Sequence, residues 1–304
     1  MNKPLAITLI LIISILIFSN PAFAAKKLSN ISDKIFAYTD TQNASPSNSF
    51  GANAGIIVGQ EGVVVVDTLA TAKEAQEMIH DIRKITNKPI RYVVNTHTHF
   101  DHCFGNSEFA KEGAIIISHK NGKANLIKWG DKLIGIVKNM GMTDELLEGT
   151  TISYPSVTFN DRIQIDLGNI IVDLIYIAPN HSTDNIMVYI QKEKVLFTGD
   201  ILFTNFHAYI GNADLDGWKK NLDYIIKLDV DKIIPGHGPL SGKQDISDMR
   251  DYLIAFDKHA RELCSSSDDL EAIVTQMEKA LPRKAQGNWM IRSSIQQKYL
   301  KSNK

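Results

Sequence analysis

The first half of the chain alternates short apolar runs with stretches in which apolar residues recur at helical spacing. Apolar runs at 55–58 and 63–67 flank a Gly-Gln-Glu-Gly segment, and this pattern predicts a β-hairpin. Residues 70–86 repeat apolar positions every three or four residues, which predicts a helix with one buried face. Further apolar runs predict an edge strand at 35–38 and buried strands at 90–94 and 114–117.

The second half is richer in short apolar runs. These runs predict a meander-like series of strands at 157–159, 163–165, 170–177, 186–190 and 195–197. The remaining pattern predicts a helix at 218–228, a strand at 232–234 and amphipathic helices at 245–262 and 270–281. Because helices border both strand-rich halves, we expect an α/β (α+β) fold in which two sheets pack face to face with helices outside.

The first 24 residues have the pattern of a secretory signal peptide. Lys3 precedes an apolar run at 5–18, and Ala22-Phe23-Ala24 has the small residues of a cleavage site. The run is too short to span a membrane comfortably. We therefore predict cleavage after Ala24, a periplasmic or secreted location, and a single domain at 25–304 with no membrane segment. An uncleaved N-terminal anchor is the alternative.

Charge gives no reason to expect a nucleic-acid partner. The chain has 33 basic and 34 acidic residues and a formal net charge of −1. We expect a small-molecule substrate instead, and the oligomeric state stays open. Cys103 and Cys264 are the two cysteines, and the sequence does not decide whether they pair, although exported proteins can form disulfides.

Four side chains that can bind a metal lie within six residues, directly after the predicted strand at 90–94. They are His97, His99, Asp101 and His102. Imidazole and carboxylate groups suit zinc and similar divalent ions. If the segment is extended, His97, His99 and Asp101 share one side, and His102 is directed elsewhere, toward a second ion. Two neighbouring ions are typical of hydrolytic sites.

Three more candidates lie far along the chain. His181 follows the run at 170–177, Asp200 ends Leu-Phe-Thr-Gly-Asp, and His237 lies in Gly-His-Gly after the strand at 232–234. Each is predicted to lie on a loop after a strand, where a rigid sheet positions loop residues for chemistry. Asp67 ends an earlier strand in the same way.

Together these residues resemble the metallo-β-lactamase-fold superfamily of metallohydrolases. The resemblance is carried by the HxHxDH motif at 97–102, His181, Asp200 after a Thr-Gly pair, His237 between glycines, and Asp67. It covers roughly residues 30–262. It implies a four-layer αββα sandwich with metals along one edge between the two sheets.

The resemblance also implies a division of the ligands. His97, His99 and His181 would bind one ion, Asp101, His102 and His237 the other, and Asp200 would bridge them. We expect two Zn²⁺ ions, with iron or manganese possible, because the ligands are histidine-rich and lack thiolate. A hydroxide held between the ions would be the nucleophile, and Asp101 and Asp200 would be the catalytic carboxylates. Asp67 would orient a ligand histidine.

The implied function is an exported binuclear zinc hydrolase of the glyoxalase II/β-lactamase-like branch, which cleaves an ester, thioester, lactone or amide-type bond. Asp200 stands where one subclass of zinc β-lactamases has a cysteine, so the chain departs from that subclass. The alternatives are a zinc β-lactamase, an iron-dependent sulfur dioxygenase of the same fold, and a metal-binding module without catalysis.

Substrate contacts are predicted at Asn180, His207 and Tyr209. The aromatic residues Phe203, Phe206 and Trp218 form either an apolar pocket wall or part of the core. Residues 121–147 are predicted to be mostly helical, and either cover the pocket or pack on the sheet.

Overall fold

The computed structural model describes residues 27–40 and 43–300, which form two β-sheets with helices on both outer faces. The predicted signal peptide at 1–24 lies outside the described residues. Within the described part of the chain, no helix is long and apolar enough to cross a membrane.

The first sheet has seven strands in sequence order. They are β1 (Lys27–Ser32), β2 (Ile35–Asp40), β3 (Ala54–Val58), β4 (Val63–Val66), β5 (Ile90–Val94), β6 (Ile115–His119) and β7 (Val157–Phe159). Strands β1 to β4 pair antiparallel, and β4 to β7 pair parallel. The parallel strands therefore end at one edge of the sheet, where the segment after β5 begins.

The second sheet has five strands in the spatial order β12-β11-β10-β9-β8. They are β8 (Arg162–Asp166), β9 (Ile171–Ile175), β10 (Met187–Ile190), β11 (Val195–Phe203) and β12 (Lys232–His237). All neighbours pair antiparallel except β11 and β12, which are parallel. Pro235 is tolerated in β12 because this strand lies at the sheet edge.

The helices follow or connect these strands. They are α1 (Ala72–Ile85), α2 (Phe100–Cys103), α3 (Asn106–Lys111), α4 (Lys120–Asn139), α5 (Leu215–Ile225), α6 (Lys243–Ser266), α7 (Leu270–Ala280) and α8 (Asn288–Ser294). A 3-10 helix at Pro46–Gly51, another at Gln191–Glu193 and a π-helix at Ile295–Leu300 complete the set.

The inner faces of the two sheets share one apolar core. Val64 and Val66 from the first sheet pack in it with Leu174 and Val188 from the second. The alternate residues Val63 and Val65 face outward, against α1 and α3. This two-residue alternation is why a run of four valines is buried on both sides. The helices α5 and α6 cover the other sheet, so the predicted four-layer αββα sandwich is confirmed.

Two strand predictions were wrong in detail. The strand at 35–38 is not at the edge, because the polar segment Lys27–Ser32 forms β1 beside it. The predicted meander is shorter, because β7 pairs with β6 in the first sheet and only β8 to β11 form a meander. Neither pairing has a local signal, since β1 has no apolar run and β7 is a three-residue strand.

The ends of β11 and β12 also differ from the prediction. Strand β11 continues through Asp200 to Phe203, and His237 is the last residue of β12. These two candidate ligands therefore lie within strands and not on loops. Helix α8 and the π-helix after it were not predicted.

Candidate metal centre

The segment after β5 is not extended, which corrects the expectation that His97, His99 and Asp101 share one side. Helix α2 begins at Phe100, directly after His99. The helical turn separates Asp101 from the two preceding histidines and places it with His102. A short helix can therefore divide one motif between two groups of ligands.

Seven side chains form two adjoining groups of potential metal ligands. One group contains His97, His99, His181 and Asp200, and the other contains Asp101, His102 and His237. Within each group the ligand atoms lie within 4.8 Å of one another. The seven are the residues that the sequence predicts as metal ligands.

Asp200 lies between the two groups and directs one oxygen toward each. Its Oδ2 is 3.2 Å from His181 Nε2 and 3.7 Å from His97 Nε2. Its Oδ1 is 3.2 Å from His102 Nε2 and 3.5 Å from His237 Nε2. The carboxylate of Asp200 therefore lies within 3.7 Å of histidines from both groups.

The remaining distances complete each group. His99 Nδ1 lies 2.9 Å from His181 Nε2. Asp101 Oδ2 lies 3.4 Å from His237 Nε2 and 3.8 Å from His102 Nε2. Each group thus has several electron-pair donors converging on a small volume, as a divalent cation requires.

Burial and charge set the protonation of these groups. Burial lowers the pKa of His97 well below its usual value, and it lowers the pKa of His181 to about 3. Both are therefore neutral imidazoles at pH 7, the form that binds a metal. Burial also disfavours charge on His102 and His237, but Asp200 and the other nearby carboxylates outweigh it and raise both pKa values.

The two carboxylates of the site stay ionised. Burial alone would raise the pKa of Asp101 and of Asp200, but the surrounding histidines lower both, that of Asp200 well below its usual value. Among the described residues, His97 Nε2 and Asp200 Oδ1 have no hydrogen-bond partner although both are buried. Such atoms are rare without a ligand. The neutral imidazoles, ionised carboxylates and unpartnered atoms fit zinc or a similar divalent metal.

Asp67 orients the ligand His102. It accepts a hydrogen bond from His102 Nδ1 at 2.9 Å and two from Thr96, at 2.7 Å from both the backbone N and Oγ1. Burial raises its pKa, and the contacts with His102 and Thr96 oppose that effect. Its backbone φ of +60° lies in the left-handed region, which aspartate tolerates better than most residues. The contact with His102 is the one expected of a residue that fixes a ligand ring.

Other contacts fix the remaining rings. His181 Nδ1 donates to the backbone oxygen of Tyr209 at 3.0 Å, which leaves Nε2 free to bind a metal. The His237 ring stacks on Phe203, with centroids 5.0 Å apart and planes within 1°. Gly236 is required beside Asp200, because a Cβ at this position would lie 1.9 Å from Asp200 Oδ1.

Asp184 joins the two ligand-bearing loops, and the sequence did not reveal this role. Its Oδ2 accepts from Thr98 Oγ1 at 2.7 Å, between the ligands His97 and His99. Its Oδ1 accepts from Asn125 of α4 at 3.2 Å. An acidic residue three positions after His181 was the only signal.

The residues predicted to bind substrate lie in different surroundings. Tyr209 is half-buried, and its ring centroid is 6.1 Å from that of His99. Asn180 is buried beside His181 and donates to the backbone oxygens of Ala178 and Asn185. His207 is buried against Tyr252 of α6, with its Nδ1 3.1 Å from the tyrosine hydroxyl.

Phe203, Phe206 and Trp218 belong to the core between the second sheet and its helices, and all three are buried. Cys103 and Cys264 are free thiols, so they do not pair. Cys103 packs in an apolar cluster with Phe104, and burial raises its pKa well above the usual value.

The family model described as the metallo-beta-lactamase superfamily matches residues 48–237, the range that contains all seven candidate ligands. The chain belongs to this superfamily. It is a metal-dependent hydrolase whose His/Asp cluster forms the metal site.

Two characterised relatives act on different bonds. A linear primary-alkylsulfatase from Pseudomonas sp. is 25% identical over 228 residues, covering 64% of this chain and 43% of that protein. A type 2 metallo-beta-lactamase from Bacteroides fragilis is 23% identical over 222 residues, covering 71% of this chain and 81% of that protein. The matched region thus spans less than half the length of the alkylsulfatase.

Solved structures show the same fold. A metallo-beta-lactamase from Pontibacter korlensis has a TM-score of 0.59 at 20% identity, covering 75% of this chain and 98% of that one. A stereoselective inverting sec-alkylsulfatase from Pseudomonas sp. has a TM-score of 0.65 at 18% identity, covering 88% of this chain and 49% of that one.

Proposed function

We propose that the chain is an exported hydrolase that uses two zinc ions to cleave an ester, thioester, lactone or amide-type bond in a small molecule. The observation that carries this proposal is the position of Asp200, whose two oxygens face separate groups of histidines. One metal-binding group alone would not require a carboxylate in this position. The family membership supports hydrolysis as the reaction type.

The zinc ions, when bound, would supply Lewis acidity that activates water and polarises the bond to be cleaved. His97, His99 and His181 would hold one ion, and Asp101, His102 and His237 the other, with Asp200 shared. Asp101 and Asp200 offset the positive charge, and as ionised carboxylates they are suited to accept a proton from water.

Substrate would approach from the side of His99. This is the one predicted ligand that is half-buried, whereas the other six are buried. The half-buried ring of Tyr209 lies beside His99 and is proposed to contact substrate. Asn180, which adjoins His181, is also proposed to contribute to substrate binding. His207 is proposed to contribute indirectly, through its contact with Tyr252.

The test combines metal analysis with a substrate panel. Zinc-loaded protein is assayed against esters, thioesters, lactones, β-lactams and alkyl sulfate esters, the last two because of the relatives' activities. The proposal is supported if the wild type hydrolyses one of these substrate classes and His99→Ala loses both this activity and its bound zinc. Bound iron with oxygen consumption would favour the sulfur dioxygenase, and undiminished activity in metal-free protein would exclude the mechanism.

Export is tested separately. The protein is expressed with its first 24 residues in a Gram-negative host, and the periplasm, medium and cytoplasm are separated. A mature protein that starts at Ala25 in the periplasm or medium is the expected result. A protein retained in the cytoplasm with residues 1–24 intact would contradict it.

A further inference from the structure

Three aromatic rings from distant segments meet beside the metal centre. Phe50 lies in the 3-10 helix before β3, Phe100 begins α2, and Trp289 lies in α8. The Phe50 centroid is 5.2 Å from that of Phe100 and 5.9 Å from that of Trp289, and both contacts are edge-to-face. We call these three residues the aromatic rim.

The rim adjoins segments that carry or contact the candidate metal ligands, since Phe100 lies within the 97–102 motif and Ala52, two residues after Phe50, pairs with His237. Phe100 stands between His99 and Asp101 in the sequence, and it is half-buried like His99. Phe50 is 5% exposed and lies between the other two rings, whereas Trp289 is 37% exposed. A buried ring thus supports two rings that remain partly accessible, one of which directly follows the half-buried His99 in the sequence.

The segment before Trp289 is held by contacts with Phe206 and His207, close to the metal centre. The backbone of His207 donates to Gln286, and Phe206 forms a bridge with Gln286. The Phe206 ring lies 5.1 Å from that of the ligand His237. Gly287 has a φ of +85°, and a Cβ there would lie 2.6 Å from the Phe206 ring. The start of α8 is therefore held close to the site.

We propose that the aromatic rim binds an apolar alkyl or aryl group of the substrate, next to the bond that is cleaved. The inference rests on the proposed function and adds the class of substrate. Partly exposed aromatic rings gain free energy by covering apolar surface, and an edge-to-face cluster is a preformed surface for it. The alkyl substrate named for the alkylsulfatase relative is consistent with such a group.

Trp289 is the residue that a family comparison would miss. It lies beyond the 48–237 range that the family model matches. It is also exposed, at 37%, so we expect its removal to leave the buried Phe50 and the half-buried Phe100 in place. The test therefore changes Trp289 and uses Trp129 of α4 as the matched control, since Trp129 is 41% exposed and the ammonium groups of Lys128 and Lys132 lie over its ring.

The experiment measures binding of methyl-, butyl- and octylphosphonate to zinc-loaded protein by calorimetry. A methylene that leaves water contributes about 0.8 kcal/mol, or roughly fourfold in Kd when fully buried. We expect the wild type to tighten by about twofold or more per methylene. Trp289→Ala should lose most of this dependence and Trp289→Phe should keep part of it, while Trp129→Ala should match the wild type.

Equal affinity of the wild type for the three phosphonates would overturn the proposal. So would a chain-length dependence that Trp289→Ala leaves intact, with folding verified by thermal unfolding. Turnover is measured separately on the substrate panel. Absence of turnover would contradict the proposed hydrolysis, and the phosphonate series would still decide the role of the rim.

Discussion

At the scale of single residues, the chemistry of the side chains was readable from the sequence. The chain has only nine histidines, so the three of them in 97–102 indicate a metal site. The orientation of each side chain could not be predicted from the sequence. Asp101 joins His102 and not His97, because one helical turn begins between them.

Asp67 acts on the metal through His102, so its loss should weaken metal binding without removing a ligand. We expect Asp67→Asn to lower zinc affinity by about 10- to 100-fold, the usual effect of losing a partner that orients a ligand. Competition with a chelator measures the change. Asp81, whose carboxylate accepts from Tyr38 away from the site, provides the control Asp81→Asn. Equal zinc affinity in Asp67→Asn and wild type would refute the role.

His207 should make the fold sensitive to acid. Burial and the charge of Lys284 lower its pKa to about 4, against an ordinary value of 6.5. The unfolded chain therefore takes up a proton at a higher pH than the folded one. The stability conferred by neutral His207 is complete above pH 6.5 and is lost as the pH falls toward 4.

Urea unfolding of the wild type and His207→Gln at several pH values tests this effect. As the pH falls from 6.5 to 4, the unfolding free energy of the wild type should decrease more than that of the variant. His80→Gln, at an exposed position of α1, controls for the loss of a histidine. A difference that is constant across this range would contradict the assignment.

At the scale of elements, the long amphipathic helices and the strongly apolar strands were predicted to within a few residues. The strand at 157–159 was also predicted correctly, but its pairing was not, and β1 and α8 were not predicted. These failures share a cause, because β1, the pairing of β7, and α8 depend on partners elsewhere in the fold. Strand β11 extends beyond its apolar run because β12 pairs with it as far as Phe203. The local pattern of apolar and polar residues does not predict such pairing between distant strands.

Asp184 connects α4 to both ligand-bearing loops, and its removal should loosen them together. Asp184→Ala leaves the buried Thr98 without its acceptor, whereas Asn125 keeps a hydrogen bond to Thr183 Oγ1. An unpaired buried polar group costs about 1–3 kcal/mol, so we expect a loss of about 2 kcal/mol in unfolding free energy and reduced activity. Asp184→Asn, which keeps one acceptor oxygen, should lose less. Denaturant unfolding is the measurement, and equal stability of all three proteins would contradict the account.

Alanine substitutions at two glycines should have opposite effects on stability. Gly236→Ala would place a methyl group 1.9 Å from Asp200 Oδ1, so we expect lower stability and lower zinc content. Gly135 lies in α4 with nothing within 4 Å of a Cβ, so Gly135→Ala should stabilise the helix by about 0.5–1 kcal/mol. Thermal unfolding and metal analysis distinguish the two. A neutral Gly236→Ala would show that the strand shifts freely beside Asp200.

At the scale of the whole molecule, the two sheets bring the ligands together. The first sheet delivers 97–102 at the end of β5, and the second delivers Asp200 and His237 from the neighbouring strands β11 and β12. The layered architecture was predictable because strand-rich halves bordered by helices have few other ways to bury their apolar faces. The aromatic rim could not be predicted from the sequence, because its three residues belong to distant segments that meet only in the folded chain.

The zinc content of the purified chain at saturating zinc tests the central claim most directly, measured beside Asp200→Ala and the exposed control Asp166→Ala. Two sites that share a carboxylate predict about two zinc ions per chain in the wild type and in Asp166→Ala, and about one or fewer in Asp200→Ala. A wild-type chain that binds only one ion, or an Asp200→Ala variant that keeps two, would contradict the bridged two-metal centre.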